Sequence, residues 1–178
     1  MLLSYGKKVS VSSSLEGYPA ENIVDEDART AWVAQSNRDM EWAQVDLQRL
    51  SSIHAIQVNF DEYGANQKGA VSGVYQSYLI YASVNGEDWS LVVDYGTKKT
   101  ATPHDYIEFE EPFKARYIKL QNKEYMVSEN FSVRDLRIFG KGQGSTPRAV
   151  NDFTVERDEA DPCKARLCWE AVPDAQGY

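Results

Sequence analysis

The sequence lacks the features that define several large classes of protein. It has no basic excess, because 19 Lys and Arg residues stand against 27 Asp and Glu residues, which gives a net charge of -8 over 178 residues. An acidic surface repels phosphate backbones and anionic headgroups, so we expect no nucleic-acid partner. No apolar run approaches the roughly 20 residues that a membrane-spanning helix needs, so we expect no membrane insertion.

The N-terminal residues also lack the apolar stretch of about 7 or more residues that marks a secretion signal. Two interpretations stay open at this point. Either the mature protein remains inside the cell, or this chain is a segment of a longer secreted protein.

Cysteine is scarce, and the two cysteines do not form a recognisable site. Cys163 and Cys168 are five residues apart. If the run between them is a strand that rises about 3.3 Å per residue, the two Cα atoms are too far apart for a disulfide. The chain has no Cys-x-x-Cys motif and no Cys/His cluster, so neither a zinc site nor a thiol redox centre is supported.

The sequence does contain short runs of alternating apolar and polar residues, separated by turn residues. This period of two is typical of half-buried strands. Eight such runs are found, at 9–11, 42–47, 56–60, 78–83, 89–94, 105–109, 115–121 and 132–139. Asn85-Gly86 predicts a β-hairpin over 78–94, and a short helix is predicted over 18–24. The predicted fold class is all-β, an eight-stranded antiparallel jelly-roll sandwich.

The C-terminal part has a different composition. Residues 142–147 belong to a Gly-rich stretch that predicts a linker. The segment 148–178 holds two more strand-like runs, 153–155 and 167–169, but is too short to close a sandwich. It resembles the opening of a fibronectin type III domain, so we expect an incomplete second β-sandwich that begins with two strands.

Three segments of the first domain occur in an order that is typical of one family. They are 20–32, 41–47 (Glu-Trp-Ala-Gln-Val-Asp-Leu), and 115–120 followed by 133–140. Together they resemble the discoidin domain, also called the factor V/VIII type C domain, and within it the bacterial carbohydrate-binding modules of family 32. The resemblance covers residues 4–141 and implies a galactose-binding-like jelly roll. Two positions differ from the family pattern: the usual Asp-Gly of the first segment is Asp25-Glu26 here, and the usual Glu of the last strand is Asp135.

The resemblance also implies one structural calcium ion. It assigns the side chains of Asp25, Thr30 and Asp135 as ligands, with backbone carbonyls near Ala20 and Asp27. The residue types agree, because carboxylate and hydroxyl oxygens in a tight turn suit Ca²⁺. From spacing alone, however, a helix end followed by a solvated turn is the simpler interpretation.

Ligands in this family bind to loops at one end of the sandwich, where aromatic rings stack on a sugar and polar groups fix its hydroxyls. Long polar loops on a rigid sheet are suitable places for recognition. The candidate residues are Tyr18, Asn37, Arg38, Tyr63, Asn66, Lys68, Tyr75 and Tyr125. For any one of them, simple exposure to solvent is the more economical interpretation. The four tryptophans, Trp32, Trp42, Trp89 and Trp169, are interpreted as structural.

No catalytic motif is found, whether a Gly-x-Ser-x-Gly elbow, a Walker loop or His-Glu-x-x-His. Asp61 and Glu62 are adjacent on a predicted strand and therefore point to opposite faces, so they cannot flank one glycosidic bond. Both are expected in solvent at the strand end.

We therefore expect a non-catalytic carbohydrate-binding module that targets a covalently linked glycoside hydrolase to plant or host polysaccharide. The arrangement resembles the C-terminal accessory region of bacterial family 43 glycoside hydrolases, which implies a secreted, periplasmic or cell-surface protein. Two alternatives stay open. One is a structural spacer or protein-adhesion domain that binds no sugar, and the other is an uncharacterised jelly-roll enzyme.

Overall fold

The computed structural model describes residues 1–65, 73–142, 150, 152–158, 160–161 and 163–170. The chain divides into two compact units, Met1–Gln143 and Gly144–Tyr178. None of the helices in the described residues is long and apolar enough to cross a membrane.

The first unit is built from antiparallel strands. Its elements are β1 (Lys8–Val11), a 3₁₀ helix (Ala20–Val24), β2 (Trp32–Val33), β3 (Trp42–Phe60), β4 (Gln76–Ser83), β5 (Ser90–Tyr95), β6 (His104–Tyr125) and β7 (Ser132–Gly142). The strand order is β2-β7-β3-β6-β4-β5, with β1 paired to β3. The predicted helix over 18–24 is thus a shorter 3₁₀ helix that begins at Ala20.

Two of the strands, β3 and β6, pass through both layers of a sandwich. The pairing of β3 shifts register between Asp46 and Ser51. Before this shift β3 pairs with β1 and with the second half of β6, which also pairs with β4. After it, β3 pairs with the first half of β6 and with β7. Each long strand therefore bends from one layer into the other.

This architecture confirms the predicted all-β antiparallel jelly roll. All eight predicted runs lie in strands to within one residue, but four of them are halves of the two long strands. Runs 42–47 and 56–60 are the halves of β3, and runs 105–109 and 115–121 are the halves of β6. Alternation alone shows where residues face inward and carries no information on whether two runs continue through a bend.

The core lies between the two layers and is filled by the inward-facing residues of each strand. The side chains that have no exposed area include Trp32, Ile56, Val58, Ile118, Leu120, Leu136 and Ile138. The full burial of these large apolar groups is the main favourable contribution to folding.

A polar cluster anchors the segment between β5 and β6. The Tyr78 hydroxyl donates to Asp105 Oδ2 at 2.8 Å, and the Lys98 ammonium donates to the same oxygen at 2.6 Å. Lys98 Nζ also lies 4.3 Å from the centroid of the Tyr95 ring. Burial, together with the neighbouring Asp105 carboxylate, raises the pKa of Tyr78 far above its ordinary value, so this hydroxyl stays a donor. One carboxylate thus joins β4, β6 and the segment that precedes β6.

The predicted hairpin over 78–94 is confirmed, since β4 and β5 pair antiparallel. Its connection differs from a two-residue Asn-Gly turn, because only Gly86 takes a positive φ, of 84°. Asn85 Oδ1 instead accepts hydrogen bonds from the backbone N–H groups of Glu87 and Asp88, both at 2.9 Å. The side chain of Asn85 therefore closes a longer loop.

The second unit contains one described hairpin, β8 (Thr154–Arg157) paired with β9 (Ala165–Cys168). Val155 lies opposite Leu167, and the ring of Phe153 stacks on Trp169 with centroids 6.4 Å apart. Cys163 and Cys168 are both free and exposed.

Candidate functional site

The loops that follow β1, β2 and β6, and the residues 61–65 that follow β3, gather at one end of the first unit. Both ends of each long strand lie there, because each strand bends at the opposite end. The contacts between loops are direct: Asn122 N–H donates to the Glu41 carbonyl at 2.8 Å, and the Tyr125 hydroxyl donates to the Asp61 carbonyl. We call this region the loop end.

Glu41, directly before β3, is the centre of a hydrogen-bond network that joins two of these loops. Ser13 Oγ donates to its carboxylate at 2.8 Å and Ser36 Oγ at 2.7 Å, and Ser12 Oγ donates as well. Burial alone would raise the pKa of Glu41. The hydrogen bonds from Ser12, Ser36 and Ser13, with the charge of Arg38, outweigh burial and lower that pKa. An ionised Glu41 therefore holds the loop after β1 against the loop after β2.

A polar groove of about 500 Å³ opens beside this network. It is lined by Ser12, Ser13, Gln35, Ser36, Arg38, Asp39, Met40 and Glu41. Asp39 is neutralised by Lys123 at 2.5 Å. Arg38 is exposed, and within the described residues its guanidinium has no ion pair. The Arg38 guanidinium is thus a bidentate donor available to a ligand in the groove, beside the hydrogen-bond network of Glu41.

The loop after β1 and the segment after β3 together form an aromatic pair. The rings of Tyr18 and Tyr63 meet edge to face with centroids 4.9 Å apart and an interplanar angle of 69°. Ser14 Oγ donates to the Tyr18 carbonyl at 2.8 Å, which fixes the backbone beneath that ring. Both rings are half-buried, so part of each remains open to solvent. The structure therefore brings together two residues that the sequence named separately.

The other predicted sugar-binding residues have different surroundings. The Asn37 amide donates to the carbonyls of Tyr125 at 3.3 Å and Ser128 at 2.8 Å, so it is engaged in holding two loops together. Tyr75 lies beneath the Lys99 ammonium, 5.2 Å from it. Asn66 and Lys68 lie outside the described residues.

The prediction that Tyr125 stacks on a sugar is wrong. Its side chain is only 1% exposed, and its ring packs against Phe131 with centroids 5.3 Å apart. The reason is that β6 continues as far as Tyr125 and places it at an inward position. Asp61 is likewise not a solvent residue, because its carboxylate pairs with Arg134.

The residues assigned to calcium lie in two places. In the loop after the 3₁₀ helix that begins at Ala20, Thr30 Oγ1 donates to Asp25 Oδ2 at 2.8 Å and lies 2.9 Å from the Asp27 carbonyl oxygen. The Asp27 carboxylate turns away and forms a bidentate pair with Arg29, which lowers the pKa of Asp27 to about 2. On β7, Asp135 is 4% exposed and accepts from Asn59 at 2.8 Å through Oδ2. Its Oδ1 is buried with no hydrogen-bond partner among the described residues.

Glu26 stands where the family usually has Gly, and it adopts the left-handed conformation with φ 61°. This conformation is strained for a residue with a side chain. Arg137 on β7 holds the Glu26 carboxylate, with Nε to Oε1 at 3.1 Å and Nη2 to Oε2 at 2.8 Å. Asp135 and Arg137 are two residues apart on one strand and share a face, so Asp135 faces the side on which this loop lies.

The four tryptophans do not all belong to a core. Trp32 is fully buried, as expected, and its Nε1 donates to the Ser13 carbonyl at 3.0 Å. Trp42 and Trp89 are only half-buried and lie beside outward-facing positions of the sheet. Full burial therefore supports the structural interpretation for Trp32, and for Trp42 and Trp89 that interpretation stays a prediction.

Sequence reasoning missed the Glu41 network. Two signals for it were present, the consecutive serines 12–14 at the end of the first strand run and the acid directly before Trp42. Neither indicates that residues about 29 positions apart meet, because that contact depends on how the loops are placed.

Comparison with known proteins agrees with this architecture. The profile of the F5/8 type C domain matches residues 8–136. The chain belongs to this family. It is 33% identical over 110 residues to rat lactadherin, a match that covers 58% of this chain and 25% of lactadherin. The chain thus spans about a quarter of the length of the curated relatives that it matches.

Among solved structures, carbohydrate-binding modules share the fold. Chitosan-binding module 2 of a chitosanase/glucanase from Paenibacillus sp., solved with chitotriose, is 19% identical with a TM-score of 0.66, covering 78% of this chain and 99% of the module. A family 32 carbohydrate-binding module of Clostridium perfringens, solved with galactose, is 18% identical with a TM-score of 0.61, covering 77% and 96%.

Proposed function

We propose that residues 4–141 form a non-catalytic carbohydrate-binding module whose ligand binds at the loop end. The observation that carries this proposal is that the loop end holds both a polar groove, lined in part by the loop after β1, and the half-exposed pair of Tyr18 from that loop and Tyr63 from the segment after β3. Polar donors fix sugar hydroxyls, and aromatic rings offer a flat apolar face to the pyranose ring. The groove is shallow and open, so the module binds its sugar weakly.

The proposal extends to the whole protein. The module targets a covalently linked glycoside hydrolase to plant or host polysaccharide, outside the cell or at its surface, and a family 43 enzyme is our suggestion for the partner domain. The chitosan-binding module similar to this chain comes from a chitosanase/glucanase, which supports the link to a polysaccharide-degrading enzyme. Residues 148–178 are proposed as the opening of a fibronectin type III-like domain, which the paired strands β8 and β9 support.

Arg38→Ala is expected to weaken sugar binding at the loop end about tenfold, because a charge-assisted donor to a hydroxyl is lost. The measurement is an NMR titration of the purified chain with chitotriose, galactose, and xylan and arabinan oligosaccharides. Arg49→Ala is the matched control, since Arg49 is exposed and lies in the β3 bend, away from the loop end.

The same titration separates this proposal from its alternatives. Shifts that cluster at the β3 bend instead of around Tyr18, Tyr63 and Arg38 would contradict the location. If no glycan changes the NMR chemical shift of any residue at millimolar concentration, the spacer or protein-adhesion function is favoured. The half-exposed Met40 and Met126 of the loop end are then the contact residues to test.

We also propose a structural calcium site formed by Asp25, Thr30 and Asp135 with the carbonyls of Ala20 and Asp27. Adjacent oxygen ligands of Ca²⁺ lie about 3 Å apart when each is about 2.4 Å from the ion. The spacing of Thr30 Oγ1 from Asp25 Oδ2 and from the Asp27 carbonyl fits this. The unpartnered, buried Asp135 Oδ1 is the kind of oxygen that a cation satisfies.

Calcium is therefore expected to stabilise the first unit. A ligand that binds only the folded state adds about 2.7 kcal/mol at 100 times its Kd, which raises the melting temperature by several degrees. Asp135→Asn should abolish this increase. Asp27→Asn should keep it, because its carboxylate is paired with Arg29 and only its carbonyl is assigned to the ion. Identical melting curves in EDTA and in saturating calcium would refute the site.

A further inference from the structure

A line of side chains crosses the outer face of the layer that contains β1, β4 and β5. Strand register places Ser10, Gln44, Lys119, Tyr81 and Leu91 opposite one another in successive strands. Their neighbours along the strands, such as Val45, Ile118 and Ile80, are fully buried. The line therefore points to solvent, and its members are about 4.8 Å apart.

Aromatic rings surround the middle of this line. Lys119 Nζ lies 4.0 Å from the centroid of Trp89 and 5.3 Å from that of Tyr81. Leu91, beside Tyr81, is 47% exposed. We call Gln44, Tyr81, Trp89, Leu91 and Lys119 the aromatic sheet face. It is a flat, apolar surface with a cation at its centre, on the side of the molecule and not at the loop end.

The Lys119 ammonium has no carboxylate partner in the described part of the chain. On the two adjoining lines, Asp46 is paired with Arg116 through bonds of 2.8 and 2.9 Å, and Asp94, opposite Leu79, accepts from the Gly96 N–H at 3.0 Å. Burial lowers the pKa of Lys119, so the folded protein keeps this charge at a cost in desolvation. Glu87 and Asp88 precede Trp89 in the β4–β5 loop and repel an anion from that side. A bound anion is therefore expected to lie above the Lys119 ammonium, on the side nearer to β3.

Two features point to the same ligand. The half-exposed rings offer an apolar surface, and the Lys119 ammonium, which lies beside two rings but has no carboxylate partner in the described residues, offers charge to an anion. A flat sheet suits an extended ligand better than a globular one, since it provides a line of contacts and no cleft.

We propose that the aromatic sheet face is a second glycan-binding site that takes an acidic polysaccharide. A uronate carboxylate pairs with the Lys119 ammonium, and the pyranose face of that or the next sugar rests on Trp89 and Tyr81. Gln44 donates to a hydroxyl on the β3 side. The site is independent of the sugar site proposed at the loop end.

The test is titration of the purified chain with a galacturonate oligosaccharide and with a neutral galactose oligosaccharide of equal length. Lys119→Met keeps the aliphatic stem and removes the charge, and it is expected to weaken galacturonate binding about tenfold. Lys119→Arg should retain binding. Lys141→Met, on an exposed residue of β7 in the other layer, is the matched control and should change nothing. Raising salt should weaken binding of the acidic ligand only.

Arg38→Ala separates the two sites, since it should leave galacturonate binding unchanged. The proposal is overturned if Lys119→Met binds the galacturonate oligosaccharide as tightly as the unaltered chain does, or if Lys141→Met loses as much affinity for it as Lys119→Met. It is likewise overturned if this ligand changes the NMR chemical shifts of loop-end residues alone. It is also overturned if the chain self-associates and Leu91→Asp disperses it, because a second copy is then the occupant. Removing a half-buried charge does not create a cavity, so Lys119→Met is expected to melt no lower than the unaltered chain.

Discussion

Asp105→Ala is expected to lower the free energy of unfolding of the first unit by about 3 kcal/mol. Removing one partner of a buried ion pair costs about 3–5 kcal/mol, because the other charge stays buried without compensation. We expect a cost at the lower end of this range, because the side chain of Lys98 is 24% exposed and water can partly solvate its charge. The Tyr78 hydroxyl loses its acceptor at the same time.

Urea unfolding followed by intrinsic fluorescence measures this effect. Tyr78→Phe removes only the hydroxyl and should cost about 1 kcal/mol. Asp27→Ala is the control, because the pair between Asp27 and Arg29 is exposed and screened by solvent, so its loss should hardly change the free energy of unfolding. If Asp105→Ala and Asp27→Ala shift the midpoint equally, the Asp105 cluster does not anchor the segment before β6.

Gly140→Ala should destabilise the same unit by at least about 3 kcal/mol. A Cβ atom there would lie 2.0 Å from the Ser52 carbonyl oxygen and 3.0 Å from Leu3 Cδ1. Overpacking costs about 1–3 kcal/mol when side chains can move aside. The obstacle here is backbone in the paired strand β3, so the β3–β7 pairing itself must shift.

Gly142→Ala is the matched control two residues along the same strand, where a Cβ would meet nothing within 4 Å. It should be neutral to within about 0.5 kcal/mol. Thermal melts of both variants give the comparison. Equal melting temperatures for the two variants would show that β3 and β7 are further apart at Gly140 than the structure has them.

The periodicity of the sequence was enough to predict the strands and the fold class, because buried positions such as Ile56, Ile118 and Ile138 alternate with less buried ones over most of each strand. It did not predict the bends. Whether two runs form one strand depends on pairing with partners far away in sequence, and alternation carries no such information.

The loop end was predicted in outline but not in detail. Tyr18, Tyr63 and Arg38 were named from the kind of residue and the kind of loop, and the structure places the two tyrosines in contact. Tyr125 was named by the same reasoning and lies in the core, since β6 continues four residues beyond the predicted run 115–121 and ends at a buried position. Glu41 was missed because its role depends on three serines from two separate loops.

The two bent strands have a consequence for how the first unit opens. Because β3 and β6 pair in both layers, loss of pairing in one layer is expected to weaken the other. We therefore expect the two layers to open together as one cooperative unit, and partial opening to favour segments outside these strands. The loops after β1 and β2 are such segments, so they can adjust to a ligand while the hydrophobic interior stays closed.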